Sequence, residues 1–436
     1  MPKPEKHLLA RPFFLLSLSL LLLGFLSAAL TRPATIDSAI QEPSDSPLLD
    51  SLLRTDPQLA PIIKQAKEYE IQIIYTQIDR DEQNRPHFTA HNFHVNARQY
   101  FNPASLVKLP VAALALEKLN NLHQPGLDRN SPLSVGTAFR CQTAIPYILS
   151  PDSDRLNTVG NYIKRMLLVS DNSAYNRLYE FLGQRPLNER LWELGYPNTR
   201  IVRRFAPCDT AANRHTNPFA FYNQQGQPIY QQPAAVNVRA LSFPLGRITK
   251  GRGYQASGTI IKEPYDFTTA NYLPLQTVTN ILKAVLFPRD VPQSQRFSLT
   301  PGDYFFLRRY LRETPHSSGF SLYKPARFYD AYKKYLFYGR NPDATMQTGL
   351  SIYNVVGMSH GYLADVAYFT DSIHQAEFML SAVIYVNQDG IINDGAYEYT
   401  SVGLPFLSRL GKKIHQYEIT RTRRIRPQMD QVFSDE

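Results

Sequence analysis

The stretch from Ser105 to Leu119 constrains the fold more than any other part of the chain. Leu106, Val107, Leu109, Val111, Leu114 and Leu116 leave it almost without a polar face. A helix that is apolar all round is a buried helix, so the rest of the chain must cover it. Pro110 sits about one turn in, where it removes one backbone hydrogen bond and bends the helix slightly.

The flanking segments divide into strands at the two ends and helices between. Pro57 to Glu70 has helical spacing, with Leu59, Ile62, Ile63 and Ala66 on one face, Pro57 at the first helical position and Asp56 as its cap. Ile71 to Ile78 is rich in β-branched residues, and His87 to Val95 alternates; the turn from Asp79 to Asn84 makes the two a hairpin. Val159 to Ser170, Ser173 to Leu182, Leu187 to Leu194 and Leu275 to Phe287 read as helices. Leu350 to Val356, Leu363 to Thr370 and Glu377 to Val386 read as strands, and Ser401 to Tyr417 as an amphipathic helix carrying Leu407, Leu410, Ile414 and Tyr417 on one face. Strands at both ends with helices in the middle point to an α/β chain of the α+β type: one antiparallel sheet closed by both chain ends (71–95 and 350–386), with an inserted helical lobe over about 99–340. Residues 211–273, rich in Asn, Gln, Gly and Pro, read as a loop-rich surface insertion.

The N-terminus has a different character. Lys3, Lys6 and Arg11 precede an apolar run from Phe13 to Leu30, closed by Ser27, Ala28 and Ala29. This is the pattern of a cleaved export signal over 1–29. The other reading is an uncleaved anchor attached to a membrane through residues 13–30. Both export the rest, to the periplasm or another extracytoplasmic space. Residues 30–55, rich in Pro, Ser and Asp, read as a linker, 56–417 as the folded domain, and 418–436 as a solvated basic tail with Arg421, Arg423, Arg424 and Arg426.

The net charge of +10 fits a preference for anionic envelope polymers. No nucleic-acid motif accompanies it, so no nucleic-acid partner is expected. The two cysteines, Cys141 and Cys208, are a disulfide in an oxidising compartment or two buried thiols in a reducing one. They are too few for a zinc site, and no metal or cofactor is expected.

Chemistry enters with Ser105-Leu106-Val107-Lys108, followed about sixty residues later by Ser170-Asp171-Asn172. A serine hydroxyl is a weak nucleophile until a base takes its proton. Helical residues three apart share a face, which puts Ser105 beside Lys108. Burial lowers a lysine pKa and frees its amine to act as that base. The plain alternatives are a serine capping a core helix beside a snorkelling lysine, and an Asx-type turn between two helices.

An S-x-x-K motif followed by S-D-N resembles the serine β-lactamase and penicillin-binding protein superfamily, and the class A β-lactamases most closely. The resemblance covers roughly residues 60–415. It implies the fold inferred above and an acyl-enzyme on Ser105 with Lys108 as base. Ser170 would relay a proton to the leaving nitrogen, Asn172 would bind the substrate's amide, and Asp171 would hold the loop. It implies a substrate that is a β-lactam or a cell-wall peptide, and a chain acting as a monomer. D-Ala-D-Ala carboxypeptidase-like or esterase activity is the alternative chemistry, and a non-catalytic envelope-binding protein the alternative class.

Two departures from the family pattern stand out. The loop glutamate that activates the deacylating water aligns with Phe205, while Asp209, four residues before Asn213, restores an acid nearby and is otherwise a helix cap. The K-T-G motif maps to Val355-Val356-Gly357, so Val355 stands where the lysine is expected. His360 is a candidate replacement for its charge, and the backbone N–H groups of Ser105 and Met358 are candidates for an oxyanion hole. In the resembling fold the segments carrying Cys141 and Cys208 approach each other at the rim of the site, which implies a bridge between them.

Overall fold

The computed structural model describes residues 42–140, 142–323 and 327–433. The proposed export segment, residues 30–41 of the linker, and Cys141 lie outside them. Among the described residues no helix is long and apolar enough to cross a membrane.

One five-stranded antiparallel sheet organises the domain. Its strands are β1 (Gln72–Arg80), β2 (Pro86–Phe93), β3 (Leu350–Ser359), β4 (Tyr362–Asp371) and β5 (Ala376–Tyr385), in the order β3-β4-β5-β1-β2. Both chain ends therefore build it, as the strand pattern implies. Ile74 on β1 lies opposite Asn92 on β2 and Ser381 on β5, which joins the N-terminal hairpin to the C-terminal meander. β3 and β4 meet in a two-residue turn, His360-Gly361, with both φ values positive (53° and 83°). That geometry matches the right-handed strand twist.

Period-two alternation sends the strand side chains to two separate cores. Ile74, Val355, Val366 and Val383 face the helical lobe, whereas Ile73, Val356, Ala367 and Ala382 face the terminal helices. The terminal layer is α1 (Pro47–Arg54) and a long helix near the C-terminus. The lobe is α2 (Lys108–Asn121), α3 (Val159–Val169), α4 (Asn172–Leu182), α5 (Leu275–Leu286) and α6 (Pro301–Arg312), and the C-terminal helix is α7 (Leu404–Thr420). The helix α2 is buried on all sides, as its composition demands. It begins at Lys108, so Pro110 falls in the first turn, where its missing N–H costs no intrahelical bond.

Four expectations are corrected. Pro57–Glu70 is not one helix: only Ala60–Ile63 is helical, and turns follow. Asp56 does cap the start, accepting from Gln58 and Leu59 N–H. However, Pro61 has no N–H to give to Pro57, and the backbone turns left-handed at Glu70, φ 44°. The span read as a linker contains α1, because Leu49 and Leu53 repeat at helical spacing and bury against the sheet. The 211–273 insertion is not only loops: short two- and three-stranded ribbons cross it, and Phe267 and Tyr272 bury against Tyr100. Helix α6, with a Thr300/Asp303 capping box, had not been read from the sequence.

The fourth correction concerns the basic tail. Arg421 and Arg423 are not solvated. Both pair with Glu418, whose side chain is fully buried. Arg421 also reaches Asp79 at 2.7 Å, and Tyr75 donates its hydroxyl to Glu418. Only the outer arginines behave as expected, with the Arg424 side chain 88% exposed. These contacts fasten the end of α7 to β1. Arg423 and Tyr75 stay on Glu418 when Arg421 is removed, so the loss is that of charge-assisted hydrogen bonds, at about 1.5–3 kcal/mol. Arg421→Ala should therefore lower the urea midpoint by a corresponding amount, while Arg424→Ala should leave it within about 0.5 kcal/mol. Equal effects of the two substitutions would show that the tail is not anchored.

Candidate active site

The Ser105 hydroxyl lies at a junction of three elements. A 3-10 turn, Ala104–Val107, leads into α2 and carries it. In a 3-10 turn residues i and i+3 eclipse, so Ser105 sits directly over Lys108. Ala104 is held at φ 44°, a left-handed conformation that costs a non-glycine residue about 1–2 kcal/mol. Asn102 Oδ1 accepts its N–H at 2.8 Å and fixes the bend. β3 closes in from the other side at Gly357, where a Cβ would lie 2.6 Å from the Pro103 carbonyl oxygen. Only glycine lets the strand approach the nucleophile turn this closely.

The second motif arrives from the α3–α4 junction. Ser170 terminates α3 in a left-handed conformation, φ 60°, and Asp171 caps α4 by accepting from the Ala174 N–H at 3.0 Å. Arg165 grips the same carboxylate at 2.7 Å. Burial raises the Asp171 pKa, but these donors outweigh it and hold the group ionised below its usual range. The result is a rigid corner that aims Ser170 and Asn172 at α2.

Lys108 joins the two motifs. Its Nζ lies 2.8 Å from Ser105 Oγ, 2.6 Å from Ser170 O, 3.0 Å from Ser170 Oγ and 2.8 Å from Asn172 Oδ1. An ammonium has three protons and no acceptor, so it cannot serve four oxygens with one proton each. A neutral amine has two protons and a lone pair, and can accept the Ser105 proton. Burial pulls the Lys108 pKa down to about 7, against the attraction of Asp171 and with help from the charge of Lys333. Near neutral pH both forms are populated. Ser105 itself is half-buried and Asn172 exposed, so the cluster opens to solvent on one side.

Residues 54–228 match the beta-lactamase enzyme family, a span that holds both motifs. The likeness to that family is shown for this segment alone. No curated protein sequence matches the chain significantly. Solved structures similar to it include a β-lactamase from Sphaerobacter thermophilus DSM 20745 (11% identity, 84% of this chain and 95% of that one, TM-score 0.44). Another is a β-lactamase from Burkholderia vietnamiensis (13%, 84% and 98%, 0.46). A third is a class A β-lactamase from Clostridium kluyveri DSM 555 (13%, 83% and 99%, 0.42).

The departures from the superfamily pattern take physical form here. Val355 is buried on the lobe side of β3 and offers no charge. A cation reaches the same strand from elsewhere. Lys333 Nζ, buried, donates to the Asn354 carbonyl oxygen at 3.0 Å. Its neighbour Lys334 donates to Ile352 O and Asn354 Oδ1. Asp365 on β4 completes this network: Asn354 Nδ2 and the N–H groups of Tyr335 and Leu336 donate to it. Burial lowers the Lys333 pKa to about 7 and raises that of Asp365 to about 6. Lys333 and Lys334 lie in a stretch that reads only as part of the helical lobe. Two adjacent lysines among tyrosines ordinarily mark a surface, and no spacing rule ties them to β3.

His360 does not replace the missing charge. Burial, with Tyr265 and Phe267 against its ring and Arg203 nearby, lowers its pKa to about 4 and keeps it neutral. Met358 places its side chain with the terminal-helix core, its Sδ 3.5 Å from an Arg340 nitrogen, so only its backbone remains for the site. Asp209 spends one carboxylate oxygen on Arg140 at 2.5 Å and the other on the Ala212 N–H at 2.7 Å. It therefore caps the turn Ala211–Arg214 and does not enter the set of groups around Lys108. What lies against Lys108 is Phe205, its ring centre 4.6 Å from Nζ. Asn176 clamps Phe205 in place through both backbone groups. Cys208 is disulfide-bonded; Cys141 lies outside the described residues.

The Lys108 pKa makes a pH prediction. Ser105 should react with an uncharged fluorophosphonate faster as pH rises, with an apparent midpoint near 7, because the free amine is the competent base. Lys108→Arg should abolish the reaction, since a guanidinium does not deprotonate. A flat profile between pH 5 and 9 would remove Lys108 from the base role.

Proposed function

We propose that this chain is an exported serine acyl-transfer enzyme that is acylated on Ser105 by β-lactams or related cell-wall peptides and releases the acyl group slowly. The observation that carries the reading is the Lys108 amine, buried and shared among Ser105, Ser170 and Asn172. In this reading Ser105 Oγ attacks the amide carbonyl while its proton passes to Lys108 Nζ. The tetrahedral oxygen rests on the backbone N–H groups of Ser105 and Met358. The C–N bond then breaks, and Ser170 Oγ passes a proton from Lys108 to the leaving nitrogen. Asn172 Nδ2 is available to the substrate's amide, since Lys108 occupies only the oxygen.

Lys333 supports binding of the substrate carboxylate in place of Val355. At neutral pH it is only partly charged, and an incoming carboxylate raises its pKa. Slow release follows from Phe205 and Asp209: a phenyl ring, not a carboxylate, faces Lys108, so no second base activates water. The basic and then apolar N-terminus and the disulfide on Cys208 support export to the periplasm or another extracytoplasmic space.

Intact-protein mass spectrometry after exposure to a penicillin tests this directly. The expected result is a single adduct that maps to Ser105, is absent from Ser105→Ala, and persists after free penicillin is removed. No adduct would sink the acyl-enzyme reading, and rapid return to the unmodified mass would sink slow release. Lys333→Met should slow acylation by a penicillin by about tenfold or more, the size of a lost charge-assisted bond, and acylation by a neutral thioester much less. Equal loss for both would place Lys333 outside the substrate's reach.

A further inference from the structure

Two cavities outside the Ser105 site adjoin at Gln184 and Arg214. One, of about 660 Å3, lies between Leu182–Glu189 and the insertion segment 232–239. The other, of about 550 Å3, lies between residues 200–214 and the insertion segments 240–243 and 268–269. Both have the size of small-molecule or peptide sites. Six cationic side chains line them: Lys118, Arg185, Arg214 and Arg239 in the first, Arg200 and Arg203 with Arg214 in the second. The one acid on either wall is Glu189, already paired with Arg185 at 3.0 Å.

Structural duty accounts for some of these cations. Arg200 donates to Ser242, Pro197 and Thr199 carbonyls, and Lys118 to Phe181 O and Gln232 Oε1. Arg185 is spent on Glu189, Asn237 Oδ1 and the Arg239 carbonyl oxygen, and the remaining three are largely unspent. Among the described residues the guanidinium groups of Arg203 and Arg239 have no hydrogen-bond or ion-pair partner, and Arg214 uses only Nε, on Asn237 O at 2.6 Å. Three free guanidinium groups therefore converge on cavities without free acid. Clefts lined by one sign of charge concentrate the opposite ion, and each guanidinium fork matches a carboxylate or phosphate. Arg203 is also close enough to His360 for its charge to add to the burial that lowers the His360 pKa. His360 in turn approaches Asn102, the residue that fixes the Ser105 turn, at 3.5 Å.

We propose that the adjoining cavities form a binding track for an elongated anion bearing at least two carboxylate or phosphate groups, gripped by Arg203, Arg214 and Arg239. The track is set by arginines alone and does not depend on the acyl-enzyme reading. If that reading holds as well, the track runs outward from the acylation site and selects an acidic extension of the substrate.

The test is fluorescence anisotropy with labelled tetraglutamate on the full chain and on Ser105→Ala. Both proteins should bind it, with tetraglutamine inert. Replacing Arg203, Arg214 and Arg239 together by glutamine should weaken binding at least tenfold, with thermal unfolding unchanged as the check on folding. Competition by tripolyphosphate separates the two chemistries: displacement at low concentration marks a phosphate site, and its absence a carboxylate site. Arg424→Ala with Arg426→Ala, on the exposed part of the tail, serves as the charge control. An equal loss in that control, or no tetraglutamate or tripolyphosphate binding at all, would overturn the proposal.

Discussion

The removal of one amine from water governs this structure. Lys108 sits at the first position of a helix that is apolar on every side, and only the few oxygens of Ser105, Ser170 and Asn172 replace its hydration. Those oxygens belong to two elements separated by about sixty residues, so the amine can be buried only when α2 and the α3–α4 corner are both in place. Burial costs the charged form more than the neutral one. The same desolvation that ties the lobe together therefore sets the amine near neutrality, where it can exchange a proton.

The sheet contributes through its edge. β3 brings Gly357 against the nucleophile turn, and the lysine pair from 333–334 reaches its carbonyl oxygens. Lys333, Lys334 and Asp365 are buried together, and none could be so alone. Asp365 offsets part of the desolvation of both lysines, while Lys333 depresses Lys334 further, and the network places a second amine of depressed pKa within the field of the first. Because the two amines interact, protonation near pH 7 belongs to the pair. An amine thus lies against the strand although the position expected to carry one is a valine.

The loop side departs from the family pattern in what faces Lys108. Asn176 and Tyr175 hold the 203–205 segment by its backbone, and that clamp sets Phe205 against Lys108. Asp209, only four residues on, is turned away by Arg140 and the cap of the next turn. The spacing of an acid before Asn213 was visible in the chain, but spacing alone does not say toward which partner a carboxylate turns.

Periodicity was enough to give the strands of both termini, the buried helix, and the helices on either side of Ser170-Asp171-Asn172, because each is a local pattern of apolar residues. The same holds for the pairing of Ser105 with Lys108, which needs only one helical turn. Sequence reasoning failed where a residue's fate depends on a distant partner. Arg421 and Arg423 read as solvated until Glu418 and Asp79 come into contact with them. His360 reads as a titratable turn residue until Tyr265 and Phe267 cover it. Lys333 carries no local signal in the sequence, and only β3 and Asp365 enclose it. By itself, then, the sequence determined the long strands, the buried helix with its Ser105–Lys108 pair, and the helices around Ser170-Asp171-Asn172, since hydrophobic period and i to i+3 spacing are short-range properties. Which charges are buried, which amine stays near neutral, and which acid is spent elsewhere were decided by tertiary structure alone, because desolvation and ion pairing depend on what the folded chain brings together.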